Sequence, residues 1–163
     1  WCELRKANPG YDNYLSFMTG AIDAILASQN VVLQAEDLGL GACYLGTATY
    51  NADKIIEILN LPRLVVPVAA IVLGYPDEDP GLTDRLPLDS VVHYEEYFPF
   101  NKKRIDDIYA EREASAETKE LLEINQKETL AQIFTDNRYT KENNISFSKK
   151  YLEVIKKQGF MNH

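Results

Sequence analysis

The sequence predicts an α+β chain. Apolar residues recur at helical spacing over residues 19–38, and a nearly unbroken run of Val, Ala, Ile and Leu fills 64–73. Between them lies the glycine-rich stretch 34–47, leading into a second helical pattern that ends at Leu59. A period near 3.6 marks a helix, and a short continuous apolar run marks a strand covered on both faces.

Residues 1–15 mix charge with Asn8-Pro9-Gly10 and the aromatics Trp1, Tyr11 and Tyr14. Asn-Pro-Gly marks a turn, so the stretch reads as an opening loop. It starts Trp1-Cys2-Glu3 without an initiator methionine, which is expected of part of a longer protein.

Over 19–38, Ile22, Ile25, Leu26, Val32, Leu33 and Leu38 keep helical spacing, and Ala21, Ala24, Ala27 and Ala35 fill positions between them. A helix apolar over so much of its circumference belongs inside something. Its small residues would permit close packing, including against a second subunit. Burying one Leu or Ile there stabilises by about 1.5–3 kcal/mol. Asp23, Gln29 and Glu36 mark the less buried side.

The stretch 34–47 reads Gln-Ala-Glu-Asp-Leu-Gly-Leu-Gly-Ala-Cys-Tyr-Leu-Gly-Thr. Gly39 falls where a helix end favours a left-handed residue, since glycine has no Cβ to clash. Gly41 and Gly46 would let the backbone pass close to a flat or bulky group and aim N–H donors at it. Gly39 alone needs no more than a helix end. A dinucleotide fingerprint is excluded, because its glycines follow a strand and open a helix.

Asn51 is placed to cap the next helix, with Asp53 in its first turn and Ile55, Ile56 and Leu59 expected to be buried. Leu61-Pro62 ends it. The run 64–73 should form a strand covered on both faces, regular from Val68 because Pro67 cannot donate to a ladder. Gly74-Tyr75-Pro76 closes the strand, and 77–84 is an acidic loop carrying Pro80 and Gly81. Arg85 follows, and a lone arginine is most often a solvated charge or a surface ion pair.

Beyond Tyr97 the chain is strongly charged, with helices expected near 104–113, 116–134 and 143–158. Leu121, Leu122, Ile124, Leu130 and Ile133 give one apolar stripe, and Tyr151, Leu152 and Ile155 another. The chain therefore divides into 1–100 and a helical extension, 101–163.

Composition narrows the function. Lys plus Arg number 17 against 25 Asp plus Glu, a net charge of −8, which opposes nucleic-acid binding. The two cysteines do not suggest a disulfide scaffold, and Cys43 reads as a small buried hydrophobe. No apolar run approaches the ~20 residues that cross a bilayer, so no membrane partner and a cytoplasmic setting are expected. His93 and His163 lie in no nucleophile signature, and no ligand spacing suggests a metal. Glu95-Glu96 reads as a solvated pair and His93 as a packed histidine with its hydrogen bond satisfied.

Five blocks carry a resemblance. Ala35-Glu-Asp-Leu-Gly-Leu-Gly-Ala-Cys-Tyr-Leu-Gly46 is followed by Leu59-Asn-Leu-Pro62, Leu73-Gly-Tyr-Pro76, Asp84-Arg-Leu-Pro87 and Val92-His-Tyr-Glu-Glu-Tyr97. In this order and spacing they resemble the C-terminal two-thirds of the nitroreductase family, in its NADPH-dependent flavin reductase and oxygen-insensitive nitroreductase branch. The family's Arg- and Ser-rich N-terminal phosphate segment has no counterpart in these residues.

The resemblance implies an FMN-binding fold with a central, mostly antiparallel sheet flanked by helices. It implies FMN as cofactor and NAD(P)H as co-substrate. The reaction would be ping-pong: NAD(P)H reduces FMN, and a quinone, nitroaromatic or second flavin then takes the electrons. Tyr44, Leu45, Gly46 and Thr47 would lie along the isoalloxazine, with the N–H groups of Gly46 and Thr47 at its N5–O4 edge. Arg85 would reach the FMN phosphate. The tail would embrace the partner of a homodimer. Scarcity of catalytic side chains fits this reading, since flavin carries the redox chemistry. The rival is a non-catalytic flavin-binding or interaction protein on the same fold.

Two departures stand out. The branch often has Lys-Pro-Arg where this chain has Thr83-Asp84-Arg85, and Gly-Gly where it has Gly46-Thr47. The first weakens the local positive field, and both leave NADH against NADPH open.

Overall fold

Asn13 starts the first long helix. In the computed structural model, which describes residues 1–79 and 81–163, a short 3-10 turn at Glu3–Arg5 precedes helix α1, Tyr14–Asp37. The Asn13 side-chain oxygen accepts the Ser16 N–H at 2.9 Å, satisfying one orphan donor of the first turn. The helix therefore begins five residues before its apolar repeat does, and takes in Tyr14, Leu15 and Phe17. It ends as the sequence predicts. Gly39 has φ 76, while its N–H donates to Glu36 O and that of Leu40 to Ala35 O, each at 2.9 Å.

Gly41–Leu45 is strand β1, antiparallel to β2, Ala70–Gly74, with Tyr44 opposite Ile71 and Leu45 opposite Ala70. A sequence read in order shows no partner strand for 41–45, and the ladder exists only once β2 lies alongside. A 3-10 turn, Gly46–Asn51, connects β1 to helix α2, Ala52–Leu59. Asn51 occupies the N-cap position but its side chain makes no capping bond. Ala52 is fully buried, Ile55 and Ile56 are half-buried, and Leu59 is exposed rather than buried.

Strand β2 starts later than Val68 because the segment before it is committed elsewhere. The Leu64 N–H donates to Gln158 O, and the Tyr151 hydroxyl donates to Pro67 O, both at 2.9 Å. Those partners sit on or just beyond α6, Lys141–Lys157. Phe17, Ile155 and Phe160 form a buried cluster joined by Met18, Val66, Val68 and Tyr151. The Phe17 and Phe160 rings are 5.5 Å apart, within the range where tilted aromatic pairs attract.

Helix α1 is less enclosed than its composition predicts. Phe17, Val32 and Ala35 are buried, but Ile22, Ile25, Leu26 and Leu33 are exposed, Leu26 to 63%. Val72 and Leu73 of β2 are also exposed, so that strand is not covered on both faces. By length and composition alone α1 could cross a membrane. Asp23, Gln29, Asn30 and Gln34 interrupt its apolar run without ending the helix, so the sequence holds no unbroken apolar run of that length.

In the tail, α3 is Lys102–Ala114 and α4 is Ala116–Asn125, capped by Asn101 and Ser115 respectively. The single helix expected over 116–134 is broken at Gln126, which has φ 53. Thr129 and Gln132 then form a capping box that opens α5, Leu130–Gln132, continued by a π-helical segment, Ile133–Arg138. The chain resolves into two compact units, one of Trp1–Asp79 with Ile145–His163, the other Pro80–Asn144. Pro80, expected in the acidic loop, lies outside the described residues.

Candidate functional site

Tyr44, Leu45, Gly46 and Thr47 stand where β1 gives way to the 3-10 turn, in the first unit. Tyr44 and Leu45 keep 39% and 40% of their surface exposed at the end of the strand, on alternate faces of it. The Tyr44 hydroxyl lies 2.7 Å from Ser28 Oγ, and Ser28 Oγ donates to Ile25 O at 2.7 Å. A serine hydroxyl has one proton, so Tyr44 donates to Ser28. That bond ties the tyrosine to α1 and leaves its ring fixed. Ser28 carried no signal in the sequence beyond its place on the helix.

A Cβ built on Gly46 meets no heavy atom within 4 Å, and the residue needs no left-handed backbone. Gly46 is therefore not required by the chain's own packing. Thr49 Oγ1 donates to Gly46 O at 3.1 Å and closes the turn. The first N–H groups of such a turn have no acceptor within it. Cys43, beside this pair, is exposed and free, which corrects its reading as a buried hydrophobe. It alternates onto the sheet face opposite Tyr44, away from the helix that holds the tyrosine.

Helix α6 braces this segment. Lys150 Nζ donates to Tyr50 O at 2.9 Å and pairs with Asp53 Oδ1 at 2.9 Å. The hydrogen bond from Lys150 holds the Asp53 carboxyl below its ordinary range.

Arg85 belongs to the second unit. Its Nη1 donates to Thr83 O at 3.1 Å, to Asp84 O at 3.0 Å and to Thr83 Oγ1. All three acceptors are uncharged, so none of these bonds cancels its charge. Asp84 points its carboxylate at Arg112, in the last turn of α3, with Nε–Oδ2 2.7 Å and Nη2–Oδ1 2.8 Å. Those two bonds hold the Asp84 carboxyl below its ordinary range. No local spacing signals this pair, whose members are 28 residues apart.

His93 accepts the Phe98 N–H at Nδ1, 3.0 Å away, and its ring lies 4.8 Å from that of Tyr97. Its neutral form then carries the proton on Nε2. Arg104 lies over the Phe98 and Phe100 rings, at 4.9 and 4.8 Å, and donates to Phe98 O and Asp89 O. His93, Phe98 and Arg104 line an open depression of about 510 Å³ with Tyr94 and Glu95. Among the described residues, no group of three or more His, Cys, Asp or Glu is placed to hold a metal ion.

Comparison with known proteins bears out the resemblance. Residues 10–75 match the Nitroreductase family. The chain is 38% identical over 97 residues to an oxygen-insensitive NADPH nitroreductase of Salmonella typhimurium (strain LT2), covering 58% of this chain and 40% of that protein. It is 40% identical over 86 residues to an FMN reductase (NADPH) of Bacillus subtilis (strain 168), covering 53% and 34%. The structures it superposes on are nitroreductase-fold proteins. One, from Bacteroides fragilis NCTC 9343, gives a TM-score of 0.95 at 46% identity, covering 99% of this chain and 65% of the other. The chain thus matches less than half the length of these curated relatives.

Proposed function

From a chain that has the nitroreductase fold and matches the nitroreductase family over residues 10–75, we infer part of an FMN-dependent NAD(P)H oxidoreductase. The observation that carries the reading is the turn after β1. There an exposed apolar pair, Tyr44 and Leu45, adjoins a glycine whose missing Cβ opens onto unfilled space. A flat heteroaromatic ring needs such a set: an apolar surface beside it, no side chain at the point of approach, and N–H donors at its polar edge. The residues present fit that group.

FMN, when bound, would supply the redox chemistry, taking electrons from NAD(P)H and passing them to a quinone, nitroaromatic or flavin acceptor. Tyr44, Leu45, Gly46 and Thr47 are assigned to the ring. The N–H groups of Gly46 and Thr47 would stabilise negative charge building at the ring's N5–O4 edge, as preorganised donors do. Arg85 is assigned to the phosphate, a task suited to a planar guanidinium fork. The reading is supported by the relatives' names, which pair NADPH with nitroreductase and FMN reductase activity.

A homodimer forms part of the same proposal. Ile22, Ile25, Leu26 and Leu33 follow helical spacing along one side of α1 and are exposed. A second copy would cover such a stripe, with the part of the tail before Ile145 as the embracing arm, since α6 packs on Phe17 and Tyr50 of its own chain. The visible spectrum of the purified protein tests the cofactor. Flavin absorbance that bleaches with NAD(P)H and returns with a quinone supports the assignment. A protein that stays colourless after incubation with FMN overturns it.

A further inference from the structure

The departure at 83–85 places an acidic residue directly before the arginine assigned to the phosphate. Left alone, the Asp84 carboxylate would draw the Arg85 guanidinium toward itself and repel a phosphate dianion. The structure gives it another partner. Arg112 takes both of its oxygens in a fork of 2.7 and 2.8 Å, the bidentate geometry that a lysine cannot reproduce. Meanwhile Arg85 donates to the main-chain carbonyl of the same aspartate. The two ends of Asp84 are thus held by two different arginines: the side chain by Arg112, the backbone by Arg85. Arg85 also helps keep Asp84 ionised, though less than Arg112 does, so the two neighbouring charges sense each other.

We propose that Arg112 is a positioning residue for Arg85. By occupying both carboxylate oxygens of Asp84, it prevents that aspartate from pairing with Arg85 and leaves Arg85 available to an anionic phosphate. The inference rests on the reading that Arg85 serves the phosphate of FMN. An exposed ion pair on its own contributes little to stability, so its value here lies in where it directs a charge.

Equilibrium FMN titration, followed by flavin fluorescence on the protein freed of its flavin, provides the test. Arg85→Ala should weaken FMN binding roughly tenfold or more, through loss of a charge-assisted hydrogen bond to the phosphate. Arg112→Ala should weaken it about three- to tenfold by releasing one nearby carboxylate. Arg112→Gln should behave alike, and Arg112→Lys should be intermediate. Adding Asp84→Asn to Arg112→Ala should restore affinity to within about twofold, because no carboxylate then remains to be released. A merely structural role for Arg112 predicts no such rescue. Unchanged affinity in Arg112→Ala, or a double variant as weak as Arg112→Ala, overturns the proposal while Arg85→Ala still shows its loss. Unchanged affinity in Arg85→Ala instead overturns the phosphate reading, and this proposal with it.

Discussion

The rings of Tyr50 and Phe147 lie stacked, 4.0 Å between centroids and 3° from parallel. This contact fastens the 3-10 turn that carries Gly46 to helix α6, from a residue nearly a hundred positions away. Lys150, one turn further along α6, bonds to Tyr50 O and pairs with Asp53 in the first turn of α2, so α6 holds both the turn and the helix that follows it. A six-residue 3-10 segment has poor hydrogen-bond geometry of its own. Its shape is set by the helix behind it.

Phe147→Ala should therefore destabilise the protein by about 1–3 kcal/mol, combining lost burial of a half-buried ring with loss of the aromatic pair. Phe147→Tyr, which keeps the ring, should cost much less. Urea unfolding of the two variants checks this. A loss in Phe147→Ala no larger than in Phe147→Tyr would mean the stack contributes nothing.

Gly46 offers a cleaner test than most turn glycines. Space around its missing Cβ is open and its backbone is not left-handed, so Gly46→Ala and Gly46→Val should leave thermal stability within about 1 kcal/mol of the parent. Any large effect must then come from what binds there. Gly46→Val should lose flavin, or retain it with a lower reduction potential and slower reduction by NAD(P)H. Stopped-flow reduction and a redox titration on one flavin-loaded variant decide the matter. Normal rate and potential would remove Gly46 from the site.

The acid limb of stability follows from the depressed carboxyls. Asp53 and Asp84 are each held below the ordinary 3.8 by hydrogen bonds from Lys150 and Arg112. A group whose pKa is lower folded than unfolded stabilises above its unfolded value. That contribution is lost as pH falls through the folded value. Melting temperature should thus hold down to about pH 4–5 and then drop, and Asp53→Asn should flatten the drop. Melting curves between pH 6 and pH 2.5 measure it; an unchanged slope in Asp53→Asn would show the Lys150 pair to be without effect.

The α1 stripe gives a prediction about assembly. Leu26→Glu places a charge on a residue already 63% exposed in the single chain, so folding of that chain should be little affected. In a dimer built on this stripe the same charge would be buried without a partner and association should fail. Sedimentation velocity should show a dimer for the parent and a monomer for the variant. A Leu26→Glu protein that remains dimeric would exclude this stripe from the interface.

What the sequence determined by itself is mostly local. Gly39 ended α1 where its backbone freedom required, and Leu61-Pro62 and Gly74-Tyr75-Pro76 bounded their elements. The ordered blocks from Ala35 to Tyr97 identified the fold, because each is a short-range constraint that survives in the linear text. Asn13 and Thr129 carry the same kind of local signal: caps that start α1 at Tyr14 and open α5 after the break at Gln126. The tertiary structure decided the rest. Strand β1 needed β2 beside it, the segment 64–67 was claimed by Tyr151 and Gln158, and Leu59, Cys43 and the α1 stripe are exposed despite apolar sequence surroundings. Burial depends on which surfaces meet, and ladder pairing, stacking and the Asp84–Arg112 fork each join residues far apart in the chain. Periodicity records which side of an element is apolar, whereas only the folded chain supplies, or withholds, the surface that covers it.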